Sequence, residues 1–155
     1  MTHHTQNGRS MIEMLAVLMI IGLIAIGALA GFGQARLKLR SSQLHDSISY
    51  IGDETAKLYA WRRSYPAVNL QQLCENDIFP EGCTDHVPNA NPFGGEYCLS
   101  STSDSFTVSA SDIPADECTL LTTRDWSYAS SVSCSTGSGS CTSSDDLKTL
   151  TVTFQ

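Results

Sequence analysis

A single acidic residue, Glu13, lies directly before a long apolar run in this chain of 155 residues. The run covers residues 14–33 and carries no charged side chain. A helix of that length spans about 30 Å, the thickness of the hydrocarbon core of a bilayer. An acidic residue is costly there, by about 2.5–3.5 kcal/mol at a helix centre and less near the end. Glu13 is therefore a functional candidate, and the chemistry available to it is pairing with a cation.

Other residues that could do chemistry are less well supported by their context. Asp85 and His86 could form a catalytic dyad, but we interpret them as a surface loop pair. Asp145 and Asp146 lack the ligand spacing of a calcium-binding loop, and the two glycines at residues 94–95 lack the context of a phosphate-binding loop. Serine is abundant, but no Gly-x-Ser-x-Gly motif occurs. The sequence therefore predicts that the protein is not an enzyme and uses no metal or cofactor.

The cysteines form the second pattern. All six lie after the apolar run: Cys74, Cys83, Cys98, Cys118, Cys134 and Cys141. An even number in this position predicts disulfides and an oxidising compartment, and no Cys-x-x-Cys or Cys/His spacing favours zinc. Proximity in the chain favours pairing Cys74 with Cys83 and Cys134 with Cys141, which leaves Cys98 with Cys118. Fifteen connectivities are possible for six cysteines, and six buried free thiols are the alternative.

The element that must position Glu13 is a long helix. Beyond residue 33 the apolar positions, with one threonine among them, recur at helical spacings: Leu37, Leu44, Ile48, Ile51, Thr55 and Leu58. We expect one helix over residues 10–63, ended by Pro66. Its first half, residues 9–33, is apolar all round. Its second half, residues 34–65, has one apolar face to pack under a domain.

Residues 66–155 are predicted to form a small globular head of α and β elements. We expect a short helical piece at residues 70–73 and a helix that starts at Asp112. Alternating apolar residues predict strands at residues 96–100, 105–109 and 147–154. The Ser/Gly-rich residues 130–144 are predicted to be a loop. A head of this size is marginal on its own, so disulfides are expected to stabilise it.

Charge is distributed unevenly along the chain. Residues 34–65 carry six basic against three acidic residues, whereas residues 66–155 carry two basic against twelve acidic residues. An acidic head gives no footprint for nucleic acid, which requires clustered Lys and Arg. The basic helix and the acidic head could complement one another between packed subunits, or the head could simply have a solvated acidic surface.

The N-terminal residues resemble those of type IV pilins and pseudopilins. Members of that family carry a short polar leader ending in glycine, then four residues, a glutamate and a long apolar helix. Here residues 1–8 match the leader, which ends in Gly8, and Glu13 follows after residues 9–12. The chain departs from the usual pattern in two ways, because Arg9 replaces an apolar residue and the apolar run contains no proline.

The resemblance implies an α+β fold in which the long helix packs against a small antiparallel sheet stapled by disulfides. It implies that a prepilin peptidase cuts after Gly8 and leaves a positive α-amine on Arg9, which the family methylates. Glu13 of one subunit would neutralise that amine on its neighbour. The precursor would lie in the inner membrane with a cytoplasmic N-terminus, and other copies and the assembly machinery would build it into an extracellular filament.

The head is similar to that of the type IVb subgroup in particular, over residues 91–122. The shared pattern is Asn-Pro-Phe-Gly-Gly at residues 91–95, Phe-Thr-Val at residues 106–108, and Ile-Pro at residues 113–114 before a helix with Cys118. The leader of eight residues is shorter than is common in that subgroup.

Several alternatives to a major pilin remain open at the level of sequence. A minor pilin or a type II secretion pseudopilin would share the processing and assembly features. A membrane-anchored binding or enzymatic domain outside the cytoplasm would share only the anchor. The apolar run could also be a signal anchor, or a secretory signal cut near the small-x-small pattern of residues 28–30.

Overall fold

The structure, a computed structural model, describes residues 11–61, 64–65, 68–138, 141–143 and 146–155. The expected leader and the two residues that flank the expected cut, Gly8 and Arg9, lie outside these ranges. The chain divides into two compact units, Met1–Lys38 and Leu39–Gln155.

Within the described residues the fold is α+β, as the sequence predicts. The helices are α1 (Met11–Tyr59), α2 (Leu70–Glu75) and α3 (Ala115–Thr122). The strands are β1 (Cys83–Thr84), β2 (Val87–Pro88), β3 (Tyr97–Ser101), β4 (Phe106–Pro114), β5 (Ala129–Ser135), β6 (Gly137–Ser138), β7 (Cys141–Thr142) and β8 (Leu147–Phe154). Four of them form an antiparallel sheet in the order β3-β4-β8-β5, while β1-β2 and β6-β7 are small separate pairs.

The second unit has its core between the C-terminal part of α1 and the main sheet. The helix contributes Leu44, Ile48 and Ile51, none of which is exposed to solvent. The sheet contributes alternate residues of its two central strands: Phe106, Val108, Ala110, Leu150, Val152 and Phe154. Burying a side chain of this size stabilises the fold by about 1.5–3 kcal/mol.

Gly52 allows the helix to approach the sheet closely. A Cβ atom on Gly52 would overlap the ring of Phe154, which is the last buried residue of β8. The Phe154 ring in turn stacks on Phe106, with ring centroids 5.1 Å apart. A glycine is therefore required at this position of α1 despite its low helix propensity.

The amphipathic face predicted for α1 is confirmed from Leu44 to Thr55, which are both fully buried, whereas Leu37 is only partly buried. Leu58 was assigned to the same face, and that assignment is wrong because its side chain is 43% exposed. The next buried position is Tyr59, four residues after Thr55. Its hydroxyl donates to Oε1 of Gln72 on α2 at 2.8 Å. The helix ends there, before the expected end at residue 63.

The polar face of the sheet is held together across its strands. Hydroxyls of Thr107 and Thr153 lie 3.1 Å apart, and those of Ser109 and Thr151 lie 3.2 Å apart. These residues alternate with the apolar core residues along β4 and β8, as the two-residue period of a strand requires. Each cross-strand hydroxyl pair of this kind stabilises the sheet by about 0.2–1 kcal/mol.

Most predicted elements of the head are present, but some of them begin or end at residues other than the predicted ones. Strand β8 has the predicted limits, and α2 lies at the predicted short helix. Strand β4 continues to Pro114, so α3 begins three residues after the predicted start at Asp112. Asp112 instead has a positive φ of 62° at the point where the β4–β8 register shifts.

The prediction of a loop over residues 130–144 is wrong. Residues 129–135 form the edge strand β5, which pairs antiparallel with β8 through Val132 opposite Val152. The following residues form the β6–β7 pair. Serine-rich segments lack the apolar alternation that marks a strand, but an edge strand with one face in solvent tolerates polar residues on that face.

Three disulfides join all six cysteines, and two of the three expected pairings are wrong. Cys74 and Cys83 are paired as expected, and they join α2 to β1. Cys98 of β3 is paired with Cys141 of β7, and Cys118 of α3 is paired with Cys134 of β5. Loops of 43 and 16 residues are closed in this way, so sequence proximity is a poor guide here.

Candidate assembly site

Glu13 lies in the first turn of α1 and is exposed. A carboxylate in that position favours the helix start, because the unpaired backbone N–H groups there carry a partial positive charge. This contribution is about 0.3–1 kcal/mol at an exposed helix end. No ion pair joins Glu13 to another described residue. Its carboxylate is therefore available to a cation that the described residues do not supply.

Residues 11–33, which we call the apolar segment, present large side chains to the outside on every face of α1. Fourteen of them are exposed: Met11, Ile12, Met14, Leu15, Val17, Leu18, Met19, Ile20, Ile21, Leu23, Ile24, Ile26, Leu29 and Phe32. By length and composition, α1 is the one helix among the described residues that could cross a membrane. A soluble protein seldom exposes so continuous an apolar surface, so the apolar segment marks a membrane or protein contact.

Three basic residues, Arg36, Lys38 and Arg40, follow the apolar segment, and we call them the basic cluster. All three are exposed, and within the described residues none of them has an ion-pair partner. The guanidinium of Arg36 lies 5.3 Å from the ring centroid of Phe32, which orients it along the helix.

Lys57, near the end of α1, shows the opposite arrangement. Its Nζ lies 2.6 Å from Oδ2 of Asp53 and 2.8 Å from Oε1 of Glu54. These two hydrogen bonds, the one to Asp53 first, raise the pKa of the Lys57 ammonium above its ordinary value. The charge of Lys57 is thus satisfied within its own helix, whereas the basic cluster is left for another partner.

The two residues considered as a catalytic dyad form a turn. Asp85 and His86 are the two central residues of the β1–β2 hairpin, with φ of 52° and 63°. Positive φ at both positions defines a type I′ turn, which suits the twist of a two-residue hairpin. Asp145 lies outside the described residues, and Asp146 is exposed. No group of three or more potential metal ligands occurs among the described residues.

The Asn-Pro-Phe-Gly-Gly segment is held in place by one buried amide. Asn91 is 3% exposed, and its Nδ2 donates to the Ser111 carbonyl of β4 at 2.9 Å. Its Oδ1 accepts from the backbone N–H groups of Phe93 and Gly95 at 2.9 and 3.2 Å. A Cβ atom on Gly95 would overlap the Ser111 carbonyl, so this glycine is required by packing. Asn91 therefore fixes the conformation of this loop and attaches the loop to β4.

One arrangement of residues could not be predicted from the sequence. Ser47 of α1 and Glu81 before β1 meet at a concave surface that we call the head groove, and the hydroxyl of Tyr97 on β3 lies close to both. Its lining consists of Gln43, Asp46, Ser47, Tyr50, Asp77, Phe79, Pro80, Glu81, Gly82 and Pro92. These residues come from α1 and the loops around α2 and β1, and no shared motif or periodic spacing connects them in the sequence.

No protein-family model matches the chain, and the comparison with curated proteins finds no match.

Proposed function

We propose that this chain is a prepilin of the type IV pilin family and that its mature form is a structural subunit of a helical filament. A peptidase at the inner membrane would cut after Gly8. The subunit would then wait in the membrane, held by the apolar segment, with its head outside the cytoplasm. Extraction from the membrane would deliver it to the base of a growing filament.

The observation that carries this proposal is the unpartnered apolar segment of α1. It has the length and composition of a membrane span, and it offers apolar side chains on all faces. Outside lipid, these side chains must be buried again, at about 25 cal/mol for each Å² removed from water. Packing many copies of α1 side by side does this, so the surface that anchors one subunit also drives polymerisation.

Glu13 would set the register between neighbouring helices. Cleavage after Gly8 would place a new α-amine on Arg9, four residues before Glu13. That amine could pair with Glu13 of the adjacent subunit inside an apolar bundle. A buried pair of this kind specifies geometry more reliably than it adds stability, because both charges lose their hydration.

The head supports an extracytoplasmic position. Its six cysteines are all paired, and disulfides persist in oxidising compartments. Its acidic composition also favours a soluble surface once the helix is in the filament.

Processing at Gly8 is the first test of this proposal. We expect Gly8→Val to prevent the cut, because a side chain there would obstruct the peptidase, whereas Gly22→Val should leave the cut intact. Intact mass of the membrane-bound protein measures both. A Gly8→Val protein that still lacks residues 1–8 would contradict the assignment.

Electron microscopy of cells with and without the chain then separates the possible roles. Loss of abundant filaments on deletion supports a major subunit. Filaments that persist without the chain would contradict that role and assign it to the minor or pseudopilin class.

A further inference from the structure

The head groove has a polar floor with unused hydrogen-bonding capacity. Ser47 Oγ donates to Glu81 Oε1 at 2.6 Å, which satisfies one carboxylate oxygen. The other oxygen, Oε2, is buried and has no hydrogen bond of good geometry to a described residue, although the Tyr97 hydroxyl lies close to the Glu81 carboxylate. A buried carboxylate oxygen without a donor costs free energy, so the site is suited to a ligand that brings one.

Tyr97 lies next to Glu81 but is not itself one of the residues that line the groove. Its side chain is 4% exposed, and its hydroxyl makes no hydrogen bond of good geometry to a described residue. Burial raises the pKa of this hydroxyl above its ordinary value, and the nearby charge of Glu81 raises it further. Tyr97 therefore stays neutral, and its hydroxyl lies close to Glu81 and Ser47, both of which line the groove.

The walls and rim define the chemistry of a fitting ligand. Two aromatic residues, Tyr50 and Phe79, line the groove, and Phe79 packs on Tyr97 with ring centroids 5.6 Å apart. Two further carboxylates, Asp46 and Asp77, lie at its rim, and no lysine or arginine is among its lining residues. Carboxylates beside aromatic faces bind an ammonium or guanidinium group on an apolar stem.

The chain itself carries side chains of that chemistry. The basic cluster presents three exposed cations without ion-pair partners among the described residues. By contrast, the other basic side chain of the described part of α1, Lys57, is already paired with Asp53 and Glu54. The unpaired positive charges of α1 and the acidic groove of the head are thus complementary in charge and in hydrogen-bonding capacity.

We propose that the head groove of one subunit binds the basic cluster of a second copy of this chain, with a Lys or Arg side chain donating to Glu81 at the floor. This interaction rests on the proposed filament. It would link the head of one subunit to the helix of another, in addition to any contact between apolar segments.

Photo-crosslinking in sheared filaments tests the contact directly. p-Benzoylphenylalanine is placed at Leu39, which is exposed and lies between two members of the basic cluster, so all three cations are retained. We expect a crosslinked dimer whose joined peptides contain residues 43–50, 77–82 or 92 of the other copy. The same probe at Leu18, within the apolar segment, should give no crosslink to those residues.

A neutral groove provides the matched comparison. Asp46→Asn, Asp77→Asn and Glu81→Gln together remove three charges without changing side-chain shape, and asparagine tolerates the positive φ of 54° at position 77. We expect this variant to lower the dimer yield from the Leu39 probe at least fivefold. The control variant, Asp85→Asn, Asp104→Asn and Glu75→Gln, makes the same charge change outside the groove and should stay within twofold.

The outcomes separate the two proposals. Absence of filaments from the unsubstituted chain would contradict the proposed function itself. Normal filaments with Leu39 crosslinked elsewhere on the neighbouring copy, or to a different protein, would overturn the groove contact and leave the filament intact. Equal dimer yields from the groove and control variants would also overturn it.

Discussion

The two parts of helix α1 have the same secondary structure, but they differ in whether the head buries their apolar side chains. In the apolar segment the large side chains are exposed, with Ile20 at 58% and Leu18 at 62%. In the later part, Leu44, Ile48 and Ile51 are completely buried under the sheet of the head. The difference follows from the distribution of apolar residues around the helix.

A helix with one apolar stripe can bury that stripe against a single surface while its polar residues remain in water. A helix that is apolar on all faces needs apolar surroundings on every side, which lipid or a bundle of like helices provides. The later part of α1 thus belongs to the folding of one chain, whereas the apolar segment belongs to a larger environment. The same helix therefore carries a stretch that packs in the head and a separate stretch that the head does not bury.

The largest expected effect is on assembly alone. In the proposed filament, we expect Glu13→Val to lower the yield of sheared filaments at least 100-fold, because it would leave the amine of the neighbouring subunit unpaired in an apolar core, and breaking a buried pair costs about 3–5 kcal/mol. Membrane retention should stay equal or improve, since the carboxylate no longer opposes insertion. Membrane fractionation and filament yield measure the two effects in the same culture.

The control for that experiment is Glu75→Val, which removes an exposed carboxylate from the head and should leave both readouts nearly unchanged. Normal filament yield from Glu13→Val would show that Glu13 does not set the register.

A pair of matched truncations tests the comparison by stability. Ile48→Ala should lower the free energy of unfolding of the head by about 2–5 kcal/mol, because it leaves a cavity in a packed core. Ile20→Ala should change it by less than about 0.5 kcal/mol, since Ile20 has no packing there to lose. Denaturation in detergent micelles, followed by the fluorescence of buried Trp126, measures both. Trp61→Phe is the common background because Trp61 is 96% exposed.

Equal losses from the two alanine variants would place the apolar segment in the folded core of the head. The division of α1 into an assembly part and a folding part would then be wrong.

Much of the fold could be predicted from periodicity, because periodicity reports burial. The buried stripe of α1 and the limits of β8 follow from apolar spacing, and both are present in the structure. Strand β5 has serine at four of its seven positions, so no apolar alternation marked it. Its pairing with β8 is decided by long-range contacts that local sequence does not encode.

Two of the three disulfide pairings and the head groove could not be predicted for a related reason. Cys134 lies on the edge strand of the sheet, so its neighbour is Cys118 of α3 rather than the sequence-adjacent Cys141. The groove likewise joins residues 47 and 81, with residue 97 close to both, and only the tertiary fold brings the three together. Proximity along the chain is a guide to pairing only when the intervening residues form a simple turn, as between α2 and β1.

The smallest expected effect sharpens the comparison through pH. Residues 14–33 contain no titratable side chain, so the apolar segment should respond little to alkaline conditions. The head contains Tyr97, whose pKa is raised in the folded state by burial and by Glu81. Above pH of about 10, where an unfolded tyrosine ionises, the unfolded state binds fewer protons than the folded state. Stability should therefore fall as pH rises, by up to about 1.4 kcal/mol per pH unit from this group.

Tyr97→Phe isolates that contribution. The variant keeps the ring packing and removes a hydroxyl that has no hydrogen bond of good geometry, so its stability at pH 7 should lie within about 1 kcal/mol of the parent. Between pH 10 and about 11.5 the variant should lose less stability than the parent, because its unfolded state no longer gains an ionised phenol. Denaturation midpoints of both proteins, followed by Trp126 fluorescence across that pH range, give the difference. Parallel pH profiles would mean that the Tyr97 hydroxyl ionises as readily in the head as in the unfolded chain, and that the floor of the groove is open to water.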